Sequence, residues 1–151
     1  MTLLEKIRQD LKDAMKKGDK DRLSTLRMIL SNVKNRQIEK KDSLDDQEIV
    51  RIIQGLVRQS KDAVEQFEKG NRSDLVAKEE TFITICQAYL PEQLSEEDLE
   101  AIIRETVAEV GALSPKDMGK VMKAVMPKVA GRADGKLVNQ KVRAILSENS
   151  P

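Results

Sequence analysis

The chain has 151 residues, and its 27 Lys and Arg against 26 Asp and Glu give a formal net charge of +1. It contains no His, no Trp and one Cys, which excludes Ser-His-Asp and Cys-His catalysis, histidine-ligated zinc and an intramolecular disulfide. Three aromatic residues are too few for a base-stacking platform, and no apolar run could span a bilayer. Because the N-terminus also lacks the layout of a secretory signal, we expect a soluble, cytoplasmic protein without membrane contact. With no His and one Cys we expect no metal site, and we expect no cofactor.

The first two helices are predicted from capping residues and apolar spacing. Thr2 and Glu5 form a capping-box pattern that predicts the start of the first helix, and Gly18 predicts its end. A second helix is expected to begin near residues 19–21 and to end in the polar run 39–43. Its predicted apolar face consists of Leu23, Leu26, Leu30, Val33 and Ile38.

The third and fourth helices complete the first predicted lobe. The third is expected over residues 45–69, with Ser43 or Asp46 as its cap. The fourth follows residues 71–73 and should stop at Leu90, because the proline at position 91 disfavours helix there. The pattern predicts an all-α protein in which residues 1–92 form an antiparallel four-helix bundle. Cys86 is interpreted as a small buried core residue.

A second, smaller lobe of three helices is predicted for residues 93–151. Residues 90–95 form the best candidate hinge, because Ser95 with Asp98 predicts a new helix start. The next helix should begin after Ser114 and end at Pro127. It carries a methionine stripe, interpreted as core filler that leaves part of its surface for a partner helix: Met118, Met122 and Met126.

Charge is balanced overall but is separated along the chain. Residues 91–110 carry a net charge of −6, whereas residues 111–146 and residues 1–41 each carry +6. A basic surface in the second lobe would suit a polyanion such as RNA, although lysines on exposed faces also serve solubility alone. The candidate RNA-binding residues are Lys120, Lys123, Lys128, Arg132, Lys136 and Lys141.

The glycine-containing run 128–136 is the most distinctive local pattern. It is not a Walker loop, because the Gly-Lys pair is followed by Leu137 and not by Ser or Thr. We interpret it as a structural turn in which Asp134 is the natural N-cap of the last helix. The structural motif residues are Gly119, Gly131, Asp134 and Gly135.

Five runs together resemble stand-alone members of the GatB/YqeY family. They are residues 26–29, 63–75, 89–97, 114–122 and 131–139, and the resemblance covers essentially the whole chain. The same domain forms the C-terminal part of the B subunit of tRNA-dependent amidotransferase, which uses glutamine to amidate a glutamate or aspartate misacylated onto tRNA. The resemblance implies an all-helical fold of two lobes, with a tail lobe that holds the tRNA body away from the chemistry.

The resemblance does not carry the amidotransferase activity over to this chain. The matching positions are Gly119, Lys120, Gly131, Arg132, Ala133, Asp134, Gly135 and Lys136. The kinase-like domain that uses ATP and the glutaminase partner have no counterpart here, and no catalytic constellation stands out among the residues.

Three functions therefore stay open. The leading hypothesis is a non-catalytic accessory module that binds tRNA or other structured RNA by phosphate and ribose contacts. The second is a protein-interaction adaptor that uses the methionine-containing face or the acidic fifth helix. The third is a component of a carbon–nitrogen ligase with glutamine as amido-N-donor, which would need other subunits.

Overall fold

The computed structural model describes residues 1–148, and all the regular structure within that range is helical. This confirms the prediction of an all-α protein. The chain divides into two compact units at the junction of Leu90 and Pro91. Each unit has its own helices and its own apolar core.

The first unit contains α1 (Leu3–Lys17), α2 (Lys20–Lys40), α3 (Asp46–Lys69) and α4 (Ser73–Gln87). α3 packs along α4 and α1 packs along α2, while α2 also contacts α3 and α4. The core between these helices has fully buried members that include Ile7, Leu26, Ile29, Ile49 and Ile53.

The ends of α1 follow the predicted signals. The Thr2 hydroxyl accepts from the Glu5 backbone N–H, and the Glu5 carboxylate accepts from the Thr2 N–H, both at 3.1 Å. Gly18 ends the helix in the left-handed conformation, with φ of 68°. Local side-chain chemistry is thus sufficient to place this helix.

The start of α3 differs from the prediction, because Asp45 is the cap and not Ser43 or Asp46. Asp45 has an extended backbone, and its carboxylate accepts from the Glu48 N–H at 2.8 Å. Asp46 already belongs to the helix, and its carboxylate accepts from the backbone N–H of Leu3 at 3.1 Å. Because α3 begins at Asp46, Asp45 is the residue that immediately precedes the helix and acts as its cap.

The buried face of α2 also differs from the prediction. Ile38 is 64% exposed, whereas Ile29 is fully buried beside Leu26 and Val33. Apolar residues occur on several faces of this helix, so only packing against neighbouring helices decides which of them enter the core.

The end of α4 comes earlier than Leu90, at Gln87. The following turn buries Tyr89, whose hydroxyl donates to the Asp10 carboxylate. Burial, together with that carboxylate, raises the pKa of Tyr89. Cys86 is fully buried, as predicted, and burial raises the pKa of its thiol to about 12.

The second unit contains α5 (Glu96–Val110), a single 3-10 turn (Pro115–Asp117), α6 (Met118–Val129) and α7 (Gly135–Glu148). α5 packs against α6 and α7, and α6 packs against α7. The fully buried members of this second core include Leu99, Ile103, Val121, Val125, Val129, Val138 and Leu146.

Two predicted boundaries in the second unit have different outcomes. The Ser95 hydroxyl accepts from the Asp98 N–H at 3.1 Å, which confirms this residue as the cap of α5. The prediction that Pro127 ends the next helix is wrong, since α6 continues through it to Val129. A proline in the last turn removes one hydrogen bond, and the full burial of Val129 in the core favours the two further residues.

Candidate nucleic-acid interface

A tight turn joins α6 to α7 and is built around one glycine. Ala130 has φ of −53° and ψ of 125°, and Gly131 has φ of 77°. The Arg132 N–H donates to the Val129 carbonyl at 2.8 Å, which closes a type II turn with glycine at its third position. That position needs a positive φ, so Gly131 has a structural role.

The same turn is fastened to the segment that leads into α5. The Leu94 N–H donates to the Arg132 carbonyl at 2.9 Å, and the Gln93 side-chain amide donates to the Gly131 carbonyl at 2.8 Å. The Arg132 guanidinium donates in turn to the Glu92 carbonyl at 3.3 Å. Much of the predicted hinge is therefore bonded within the second unit.

Three of the six candidate bases are already engaged in the second unit. Lys128 donates to the Thr106 hydroxyl at 2.9 Å and to the Glu109 carboxylate at 2.8 Å. Lys141 lies 3.8 Å from the Glu96 carboxylate, and Arg132 holds the loop described above. Their charges are partly neutralised by α5 or used in the turn.

The other three candidates are exposed and have no side-chain hydrogen bond or ion pair with residues 1–148. They are Lys120 and Lys123 on α6 and Lys136 in the first turn of α7. Lys116 lies four residues before Lys120, is also exposed and has no ion pair in the same part of the chain. Spacings of four and three residues bring Lys116, Lys120 and Lys123 to one side of the continuous 3-10 turn and α6, a surface here called the α6 lysine face.

The surroundings keep this face open and positively charged. Gly119 is exposed, and a Cβ added there would meet nothing within 4 Å. The nearest acid in sequence, Asp117, is directed to the backbone, where its carboxylate accepts from the Leu113 N–H at 2.9 Å. Gly135 approaches Met126, so the start of α7 with Lys136 lies beside the last turns of α6.

The acidic helix α5 neutralises a different part of the second unit. Glu109 and Glu96 pair with bases of α6 and α7, and Arg104 bridges Glu100 at 2.9 Å and Glu148 at 3.0 Å. These pairs lie along α5, whereas the α6 lysine face receives no carboxylate from residues 1–148. The result is a local field that would attract an anion.

The remaining motif residues have structural positions. Asp134 immediately precedes α7, and its carbonyl accepts from the Val138 N–H at 3.0 Å. The methionine stripe is half-buried and packs against the second core: Met118, Met122 and Met126. Gly135 does not need a positive φ, unlike Gly131.

Sequence reasoning omitted Lys116 from the candidate set. It lies in the 3-10 turn before α6, and a division of the chain at Pro115 separates it from Lys120. The i, i+4, i+7 spacing of the three lysines was the signal that could have found it.

Residues 1–148 contain neither a candidate metal site nor a helix that could span a membrane. Within residues 1–148 no three His, Cys, Asp or Glu side chains come together in a way that could hold a metal ion. No helix in that range combines the length and the apolar character that crossing a bilayer demands.

The chain belongs to the YqeY-like family, since the family model described as Yqey-like protein matches residues 4–146. It is similar to proteins named Altered inheritance of mitochondria protein 41, mitochondrial. The one from Pyrenophora tritici-repentis is 27% identical over 95% of this chain and 81% of its own length. Those from Lachancea thermotolerans and Eremothecium gossypii are 36% and 35% identical, over 72% and 78% of this chain and 60% and 69% of their own lengths.

These relatives contradict one expectation from the sequence. Their names are those of mitochondrial proteins, so the prediction of a cytoplasmic protein is wrong. That prediction depended on the lack of a secretory signal and of a membrane span. Neither feature distinguishes one aqueous compartment from another.

Proposed function

We propose that this chain is a non-catalytic accessory module that binds tRNA or another structured RNA through the α6 lysine face and Lys136. One observation carries the proposal: these lysines are exposed and unpaired within residues 1–148, while Lys128 and Lys141, their neighbours in the second unit, are paired with acids. An ammonium group without a carboxylate partner can approach a phosphate without first breaking an ion pair.

The ligand contacts should be made to the RNA backbone and not to splayed bases. The chain has two Phe, one Tyr and no Trp, and its single tyrosine is buried. Base stacking needs exposed aromatic rings, whereas phosphate contacts need only positioned cations. Recognition would then depend on the shape of the RNA and on the spacing of its phosphates.

The six candidate bases would have two roles under this proposal. Lys120, Lys123 and Lys136 would contact phosphates directly, with Lys116 as an added member. Lys128, Arg132 and Lys141 would instead hold the helices and the turn that present them, since each already has a partner in the second unit.

The relationship to the B subunit of tRNA-dependent amidotransferase is also a proposal. The resemblance to the C-terminal helical and tail parts of the amidotransferase B subunit supports a tail lobe that holds the tRNA body. It likewise supports an antiparallel four-helix arrangement in the first unit and a three-helix arrangement in the second. A component of a carbon–nitrogen ligase that uses glutamine as amido-N-donor is the related alternative, and it requires other subunits.

The first experiment measures RNA binding by the purified chain. Total tRNA and a generic RNA duplex are titrated at low and moderate salt, with fluorescence anisotropy as the readout. We expect binding at low salt that weakens steeply as salt is added, with tRNA bound more tightly than the duplex. Absence of tRNA binding at low salt would refute the proposal and favour a protein-interaction adaptor.

A second experiment separates the ligase alternative. Tagged chain is purified from its source, and the eluate is tested for a glutaminase subunit and for glutamine-dependent conversion of misacylated tRNA with ATP. The purified single chain should show no turnover. Stable co-purification of a glutaminase, together with turnover by the complex, would support the ligase component.

A further inference from the structure

The first unit contains a cleft that the RNA-binding proposal does not use. It lies among α2, α3 and α4, and its volume is about 400 Å³. Small-molecule sites in proteins commonly have volumes of about 300–1,000 Å³ and combine apolar walls with a few polar groups. The cleft is therefore large enough for a small ligand.

The polar groups of the cleft include a hydroxyl without a partner. Thr25 is only 4% exposed and lines the cleft, yet its hydroxyl makes no hydrogen bond with residues 1–148. No buried side-chain oxygen or nitrogen of residues 1–148 lacks a partner, so the Thr25 hydroxyl is accessible to water in the cleft. A ligand with an N–H group can replace that water as its hydrogen-bond partner.

A half-buried carboxylate lies on the α4 side of the same cleft. Glu79 accepts a hydrogen bond from the Ser60 hydroxyl, and Ser60 itself is buried. Glu79 has no ion pair with any residue in the described range 1–148. One neutral hydroxyl stabilises a carboxylate much less than a cation would, so this group still favours a positively charged partner.

The rest of the lining includes apolar side chains that suit a hydrocarbon chain. Leu56 and Phe82 supply apolar surface, and Met28, which is half exposed, supplies a flexible apolar side chain at the edge. Asp21 and Glu79 outnumber the single lysine of the lining, Lys78, so the net charge of the cleft is negative.

We propose that this cleft binds a small organic cation, an ammonium or guanidinium group carried on a short hydrocarbon chain. The cationic group donates to the Glu79 carboxylate, and one of its N–H groups also donates to the Thr25 hydroxyl. The hydrocarbon chain covers Leu56 and Phe82. This site is separate from the α6 lysine face and does not depend on RNA binding.

The test uses the full chain and four probes of similar length: n-pentylamine, agmatine, 1-pentanol and pentanoate. Binding is followed by chemical-shift changes of backbone amides. The two cations should shift the amides of residues around Thr25, Ser60 and Glu79 in a saturable way. Pentanol should bind at least about tenfold more weakly, and pentanoate should not bind, because neither donates from a positive charge.

Matched variants locate the site. Glu79→Gln keeps the acceptor for Ser60 but removes the charge, and it should weaken amine binding by about tenfold or more. Glu80→Gln removes the same charge from the exposed neighbouring position of α4 and should leave binding unchanged. Ala63→Met fills the cleft and should abolish binding, with far-UV circular dichroism as the check on folding.

Three results would overturn the proposal. They are the absence of saturable shifts with either cation, equal affinity for pentanol and pentylamine, and equal weakening by Glu79→Gln and Glu80→Gln. Because Glu79→Gln preserves the Ser60 hydrogen bond, the test remains decisive even if Ala63→Met fails to fold.

Discussion

The side-chain amide of Gln93 donates to the Gly131 carbonyl at 2.8 Å, and it donates also to the Pro91 carbonyl at 2.7 Å. With the bond from the Leu94 N–H to the Arg132 carbonyl, these contacts fasten the first residues of the second unit to the α6–α7 turn. Part of the segment that the sequence predicts as a hinge, residues 90–95, is therefore held by hydrogen bonds within the second unit. The bonds leave little backbone free in this segment for a protease to engage.

Gln93→Ala should make that segment more susceptible to proteolysis. Loss of the two side-chain bonds frees the backbone around Pro91, so cleavage between residues 89 and 95 by a broad-specificity protease should accelerate. Gln87→Ala, which changes the same residue type at the exposed end of α4, is the control and should not alter the rate. Equal cleavage rates for both variants would show that the Gln93 bonds do not protect the segment. A first cut inside α3 would contradict the assignment of residues 1–92 to a helical bundle.

Two glycines of the predicted motif should respond in opposite directions to the same substitution. Gly131→Ala places a side chain at φ of 77° and should destabilise the second unit by about 1–2 kcal/mol. Gly135→Ala should be neutral or stabilising by up to about 1 kcal/mol, since the new Cβ would lie an ordinary 3.9 Å from Met126 within a helix. Hydrogen exchange of α6 and α7 amides measures both changes, and a destabilised Gly135→Ala with an unaffected Gly131→Ala would contradict this assignment.

Local signals predicted where several helices begin and end. The Thr2–Glu5 box, Gly18 and the Ser95 cap all formed as expected, because each depends on residues within four positions of one another. The all-helical class followed from the same kind of periodicity. These features need no knowledge of the tertiary fold.

Errors arose where distant packing decides. Ile38 and Ile29 are equally apolar, but only the second faces the core, and Pro127 lies inside α6 because Val129 is buried beyond it. The pairing of Lys128 with Glu109 depends on how α5 packs on α6, which a count of charges along the chain cannot provide. The candidate site was therefore predictable as a set of bases but not as a division into paired and free ones.

Acid should weaken the first unit in part through Glu48. A hydrogen bond from Lys40, at 2.7 Å, holds the pKa of the Glu48 carboxyl below its ordinary value. A lowered pKa in the folded state contributes stability above the unfolded pKa of about 4.3, and that stability is lost as pH falls through the folded pKa. Glu48→Gln, which can still accept from the Asp45 N–H, should show a smaller drop in Tm on acidification than the unsubstituted chain.

The control for that measurement is Glu68→Gln, which removes the same charge near the other end of α3, where no ion pair with residues 1–148 involves Glu68. Its drop in Tm on acidification should match that of the unsubstituted chain. Identical drops for Glu48→Gln and the unsubstituted chain would show that the Lys40–Glu48 pair does not contribute to acid sensitivity.

Cys86 should be inert in the folded chain. Its side chain is fully buried, and burial raises the pKa of the thiol to about 12, so almost no thiolate exists near neutral pH. A disulfide reagent such as 5,5′-dithiobis(2-nitrobenzoic acid) should react slowly at about pH 8 and quickly once denaturant is added. Rapid stoichiometric labelling of the native chain would contradict the burial of this residue in the first core.

The decisive prediction for RNA binding concerns the two free lysines of α6. Each phosphate contact releases condensed counterions, so log affinity falls against log salt with a slope of about −0.9 per contact for duplex-like nucleic acid. Lys120→Gln with Lys123→Gln should flatten the slope for tRNA by about 2, while Tm stays nearly unchanged because both side chains are exposed and unpaired within residues 1–148.

Two further variants are the controls for this measurement. Lys12→Gln with Lys61→Gln removes the same charge from the first unit and should leave the slope unaltered. Lys128→Gln should flatten the slope by much less than one contact and lower Tm instead, since it breaks the bonds to Thr106 and Glu109. An unchanged slope in the Lys120 and Lys123 variant, with tRNA still bound, would exclude the α6 lysine face as the site of contact.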